Sequence, residues 1–265
     1  SDYRTLGLGY ANLGALLMAM GLAYDSPAAV GLAAALTAWM TGEAYAVSAE
    51  LAKELGPFAR FEANREPMLQ VIQKHQSALP HSSHALIQHA VTAWKRAWEE
   101  GSKSGFRNAQ VTAIAPTGTI GLVMDCDTLG IEPEFALVKF KKLAGGGVLK
   151  IPNRSVGPAL RALGYSPEQV STIEKYIVEE STIEGAPFLQ EKHLAVFDCA
   201  DRNGEKGQRV LNPLAHLHMV AAVQPFVSGG ISKTVNLPHS ASPQNIQEIY
   251  EKAAQMGIKA ISVYR

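Results

Sequence analysis

The stretch from 108 to 125, NAQVTAIAPTGTIGLVMD, places a proline and then a glycine between two threonines where an apolar, β-prone run stops. A strand that ends this way can hand over to a short helix. Its first amide hydrogens have no intrahelical acceptor and lie at the positive end of the helix dipole, a setting that attracts anions. Pro116 fits where no amide donor is needed. Gly118 lets a ligand approach the backbone, and Thr117 and Thr119 add hydroxyls that suit phosphate oxygens. Two readings follow: a phosphate cradle, or a turn capped by threonine. A Walker loop is excluded, because no Gly-Lys-Ser/Thr follows.

Glu132, in Gly-Ile-Glu-Pro, sits in a loop that can reach back toward the strand end, where it either orients a substrate or holds the loop. The thiols are poor nucleophile candidates. Cys126 lies between Asp125 and Asp127 and Cys199 follows Asp198, and neighbouring carboxylates raise a thiol pKa. His81, His84 and His89 lack a thiolate or carboxylate at matching spacing, so a solvated helix start describes them better than a metal site. His216 and His218, two apart on a helix, face different ways, and one of them is expected to be a satisfied interior histidine. The glycines at 7, 9 and 14 miss the dinucleotide G-x-G-x-x-G spacing and read as tight loop and close helix packing.

The elements that must position these residues divide at about residue 105. Before it, helical patterns cover 12–20, a long Ala-rich run opened by Ser26-Pro27 and closed near Gly56-Pro57, then 66–76 and 83–100. After it the texture is mixed. Residues 110–115 read as a strand covered on both faces and 135–142 as a second extended segment, followed by a turn at Gly145-Gly146-Gly147. Helices are expected at 155–163, at 166–179 behind Ser166-Pro167, and at 213–226. Strands at 232–237 and 259–264 flank a helix from 243 to 256, an order that suits parallel pairing. The expectation is one α/β domain over 1–265 with a large helical fraction, 1–105 mostly helical and 106–265 mixed.

Composition narrows the partners. Twenty-four basic residues balance 24 acidic ones, which argues against a nucleic-acid backbone or an anionic membrane. The apolar run from 28 to 40 is interrupted by Thr37, Thr41 and Glu43 before it reaches the roughly 20 residues a span needs. Two cysteines cannot build a disulfide framework, and a cytoplasmic setting is expected. The abrupt start and the strand-like end suggest a fragment of a longer polypeptide.

Four segments in order, YRTLGLGYANLGALLM, GFRNAQVTAIAPTGTIGLVMDCDTLGIEPEFALVKFKKLAGGG, VAAVQPFVSGGISKTVNLP and GIKAISVYR, together resemble the catalytic subunit of ribonucleotide reductases, in particular the adenosylcobalamin-dependent class II enzymes. The resemblance implies a ten-stranded α/β barrel, of which this chain supplies the C-terminal half. It implies that Ala115, Pro116, Thr117, Gly118, Thr119 and Ile120 bind the substrate's phosphates. It further implies adenosylcobalamin as cofactor, a ribonucleotide as substrate, a thiol reductant system and the missing N-terminal part as partners, and room for a homodimer. The family's radical cysteine lies in an Asn-x-Cys-x-Glu segment that these residues lack, so no catalytic residue is assigned to Cys126 or Cys199. The tyrosine pair of radical-importing classes is also missing, since Ser262-Val263 precede a lone Tyr264. The alternative reading is a non-catalytic nucleotide-binding module that keeps the phosphate cradle.

Overall fold

The computed structural model describes residues 2–142 and 145–265, so Leu143 and Ala144, within one of the four resembling segments, lie outside the described residues. Along the chain run α1 (Leu13–Ala19), α2 (Pro27–Leu55), α3 (Arg65–Ser77), α4 (Ala85–Ser104) and α5 (Gly118–Val123). There follow β1 (Val138–Lys142), β2 (Val148–Pro152), α6 (Val156–Ala162), α7 (Pro167–Glu180), α8 (Pro213–Val223), β3 (Thr234–Asn236), α9 (Pro243–Gln255) and β4 (Ser262–Tyr264). The α/β class with a large helical fraction holds.

Local sequence explains the helix starts. Each Ser-Pro pair caps a helix: the Ser26 hydroxyl accepts from the Ala29 amide, while Ser166 with Gln169 and Ser242 with Asn245 close reciprocal capping boxes. The proline then occupies a first-turn position that needs no donor. The run expected as one helix over 213–226 ends at Val223 and tightens into a 3₁₀ turn, Gln224–Phe226, because Pro225 can donate no hydrogen bond.

The chain forms two compact units. The first comprises residues 2–9, 31–115 and 220–232 of the described chain. Tyr45, Phe58, Phe61, Trp94 and Phe106 form its aromatic core against the alanines of α2. Gly42 admits the Trp94 ring, whose indole N–H donates to the Ala38 carbonyl at 2.9 Å. Residues 110–115 are not the full strand expected. They make two isolated parallel bridges, Leu8 to Thr112 and Ile114 to Ile231. Backbone bonds reach the segment from both sides, Leu8 to Val111 and Ala113 to Leu8 on one and Ile114 to Gly230 and Ser232 to Ile114 on the other, but the amides of Val111 (3.1 Å) and Thr112 (2.9 Å) donate to the Ser228 hydroxyl and interrupt the ladder.

The second unit comprises residues 10–30, 116–219 and 233–265. One apolar cluster packs α6 and α7 around Leu137, Leu160, Ile173 and Phe197. Another joins Leu217 of α8, Val235 of β3 and Ile249 and Ala253 of α9. The strand expected at 135–142 is β1, which pairs antiparallel with β2. The closing strand, helix and strand are present with β3 and β4 parallel, though each strand is shorter than expected.

Replacing Ser228 with alanine is expected to leave two amides without their acceptor and to destabilise the chain by about 1–3 kcal/mol in urea unfolding. A change within about 0.5 kcal/mol, the range of ordinary surface substitutions, would contradict this account.

Candidate functional site

Ala115 and Pro116 are exposed, and Thr117 is the N-cap of α5. The Gly121 amide donates to the Thr117 carbonyl at 2.7 Å, the first bond of the helix. The amides of Gly118, Thr119 and Ile120 precede it, belong to exposed residues, and have no acceptor among the described residues. With the hydroxyl of exposed Thr119 they form a compact set of donors open to solvent, and the half-buried Thr117 stands beside them.

The unusual backbone falls on threonine, not on glycine. Thr117 adopts φ 55° and ψ 28°, a left-handed conformation that a β-branched residue rarely takes and that costs on the order of 1–3 kcal/mol. Its hydroxyl accepts from the Gly130 amide at 2.7 Å, so Thr117 is also a structural acceptor, with its own proton left to donate. A Cβ at Gly118 would meet nothing within 4 Å, which leaves that face of the loop open.

The Gly130 amide belongs to a tightly held turn. The Glu132 amide donates to the Leu129 carbonyl at 2.8 Å, and the Tyr24 hydroxyl donates to the Ile131 carbonyl at 2.6 Å. Gly14 packs so closely that a Cβ there would lie 2.5 Å from the Glu132 carbonyl oxygen. This accounts for one glycine of the 6–14 stretch; Gly9, 2.3 Å by the same measure from the Ala113 oxygen, accounts for another.

Glu132 itself is bound on both oxygens. Oε1 accepts from the Thr234 amide at 2.9 Å, and Oε2 from the Lys233 ammonium at 2.5 Å. The Lys233 side chain is 0% exposed. Its remaining protons go to the Thr234 carbonyl at 2.7 Å and to Nδ1 of His216. Burial pulls the Lys233 pKa down to about 8, against the opposing pull of Glu132. Burial first, and the Lys233 charge second, depress His216 to about 2. The imidazole is therefore neutral, with Nδ1 accepting and the proton on Nε2. That Nε2 is buried and has no partner among the described residues, so this interior histidine is not fully satisfied as expected. Burial, and then Glu132, also hold the Tyr24 phenol well above its ordinary value.

Sequence reasoning missed Lys233 and the role of His216. The available signal was a lone charge inside the apolar run GGISKTVNL. The thiols lie elsewhere. Cys199 is fully buried, and burial, more than the nearby carboxylates, pushes its thiol far up. Asp125 and Asp127, on either side of Cys126, both bind Arg154, at 2.6 and 3.1 Å. His81 and His84 are exposed, His89 stacks on Trp39, and His218 is exposed while His216 is buried.

The family profile described as "Ribonucleotide reductase, barrel domain" matches residues 1–264. The chain belongs to the ribonucleotide reductase barrel-domain family. The resemblance carried by the four segments is thereby borne out at the level of the family. Among curated relatives, the vitamin B12-dependent ribonucleotide reductase of Rhodopirellula baltica is 50% identical over 99% of this chain and 26% of its own length. Its namesake in Streptantibioticus cattleyicolor is 47% identical over 99% of this chain and 44% of its own length. The chain thus spans between about a quarter and under half of these relatives. A solved structure, the Actinobacillus ureae class Id ribonucleotide reductase alpha subunit, shares the fold at TM-score 0.65 and 18% identity, over 99% of this chain and 39% of that one.

The buried cluster makes stability depend on pH. In the unfolded chain an imidazole protonates near pH 6.5, whereas folded His216 stays neutral down to about 2. The unfolded state therefore binds more protons below pH 6.5, and stability falls with pH there by up to roughly 1.4 kcal/mol per unit from this group. Lys233 has the same sign, adding stability as pH rises above about 8. Urea unfolding between pH 7 and 5 is expected to show the acid slope, and His216→Gln, which keeps an acceptor for Lys233, is expected to flatten it.

Proposed function

We propose that this chain is part of a vitamin B12-dependent ribonucleotide reductase, in which it supplies the loop that grips the substrate's phosphates. The activity is reduction of ribonucleotides to 2′-deoxyribonucleotides for DNA synthesis, by radical chemistry in a cytoplasmic enzyme. The single observation that carries the reading is the row of exposed amides at Gly118, Thr119 and Ile120, behind a threonine held in a strained conformation. Strain of this kind persists only where surrounding structure enforces it, and it clusters at ligand sites. Neutral amides fixed at a helix start bind phosphate oxygens without reorganising. Pro116 and the open face of Gly118 leave room for the ligand. Glu132 supports the loop from behind.

In the same reading residues 1–265 form a single domain, the C-terminal half of a ten-stranded α/β barrel. The relatives' greater length supports a larger parent protein. That protein would provide the radical cysteine segment and meet the thiol reductant system and any second subunit.

Adenosylcobalamin is the cofactor implied by the relatives' names. The residues of this site do not fit it. His216 is sealed in the interior beside Lys233, out of reach of a macrocycle as large as a corrin. Cys199 is equally sealed, with its thiol pushed far up. We therefore assign neither side chain as a ligand of the cofactor and route no chemical step through them.

Gly118→Val tests the loop without disturbing the fold, since the added carbons enter open space. It is expected to weaken ADP binding by about 1–3 kcal/mol, the loss of one or two hydrogen bonds, with unfolding unchanged. Reductase turnover on complementing the chain with the N-terminal part of a relative is expected for the wild type, and would exclude a purely nucleotide-binding module. Unchanged affinity in the variant would remove the phosphate-loop assignment.

A further inference from the structure

We propose that Lys233 is a positioning residue of the phosphate loop: its buried ammonium clamps Glu132, and the turn that Glu132 closes delivers the Gly130 amide that holds Thr117 in its ligand-ready conformation. The inference rests on the reading of the loop given above and deepens it.

The connection is continuous. Lys233 Nζ donates to Glu132 Oε2 at 2.5 Å while the next residue's amide takes Oε1 at 2.9 Å, so the carboxylate is held in two directions. Glu132 closes the turn through its own amide to Leu129 at 2.8 Å. Inside that turn the Gly130 amide reaches the Thr117 hydroxyl at 2.7 Å. Thr117 is the residue whose φ of 55° needs outside support. No link in this path depends on an exposed, salt-screened contact: Lys233 and Gly130 are buried, and Glu132 and Thr117 are partly so.

Packing alone gives no reason for a lysine at this position. A buried ammonium is costly unless every proton is accepted, and an apolar side chain of similar volume commonly serves stability as well or better. What the ammonium adds is direction. It draws Glu132, Thr234 and His216 to fixed points around one nitrogen. An apolar residue would fill the space and leave the Glu132 carboxylate free to turn. The Gly130 donor would then lose its fixed aim, and Thr117 would be free to relax from the left-handed region.

Calorimetric titration with ADP, with far-UV circular dichroism and urea unfolding as folding checks, decides the matter in the 265-residue chain. Lys233→Met, Glu132→Gln and Thr117→Val are each expected to weaken ADP binding roughly five- to tenfold, the value of about one hydrogen bond. Because they act through one path, Lys233→Met on the Thr117→Val background is expected to add less than about twofold, where independent effects would multiply. Glu132→Gln keeps the Thr234 contact and lies at the more accessible end of the pair, so it carries the same cycle if Lys233→Met fails to fold. Full ADP affinity in folded Lys233→Met or Glu132→Gln, or multiplying losses in the cycle, would overturn the positioning role. In that case a loss of binding in Gly118→Val would leave the phosphate-loop reading standing. If Gly118→Val, or the wild type by not binding at all, shows no dependence on the loop, that reading fails instead.

Discussion

An ammonium group in the protein interior must find an acceptor for each of its three protons, and in the second unit this requirement at Lys233 fixes the surroundings. Glu132, the Thr234 carbonyl and His216 Nδ1 accept from it. They bring together residues from the turn after α5, from the start of β3 and from α8. Leaving one partner out of a buried pair costs several kcal/mol, comparable to a large part of a domain's stability. The imidazole pays part of that requirement in its own hydrogen bonding, since Nδ1 must accept and Nε2 is left bearing a proton with no partner.

The first unit solves a similar problem with hydroxyls. Residues 110–115 are uncharged, and neighbours at residues 6–8 and 230–232 satisfy much of their backbone, though not the amides of Val111 and Thr112. Ser228 instead takes two of the amides, while Thr112 bonds through its side chain to Thr41 at 3.1 Å and to Ser228 at 3.1 Å. The segment is therefore held straight without a long ladder, and it ends at Ala115, where the loop begins. In both units, side chains distant in sequence do work that regular secondary structure does elsewhere.

This division marks what the sequence could disclose. The three Ser-Pro helix starts were legible because a cap is made by residues three apart. The family was legible for a different reason, since several motifs recur in order over the chain. The strands were over-read: Val111 and Ile114 record burial, which a β-prone run reports faithfully, but not how far a ladder extends. Lys233 was missed because its partner Glu132 lies 101 positions away. Thr117 was legible as a hydroxyl but not as a left-handed residue, because a β-branched side chain gives no sign of that backbone conformation.

The way charge is distributed also constrains how the loop can act. Lys233 is internally neutralised by Glu132, and Asp125 and Asp127 are bound to Arg154. The charges nearest the loop in sequence are thus already matched within the chain. What faces solvent at residues 118–120 is a set of neutral dipoles: three amides and the Thr119 hydroxyl. Neutral donors attract an anion only at hydrogen-bond range, and they gain from being fixed in advance because they then lose nothing to reorganisation when the ligand arrives. Under the proposed reading, such a site would discriminate by the positions of oxygens more than by net charge, in keeping with a chain whose acidic and basic residues balance. The same reading would give the buried structure behind the loop a purpose: dipoles that must be aimed need rigid support, and a point charge does not.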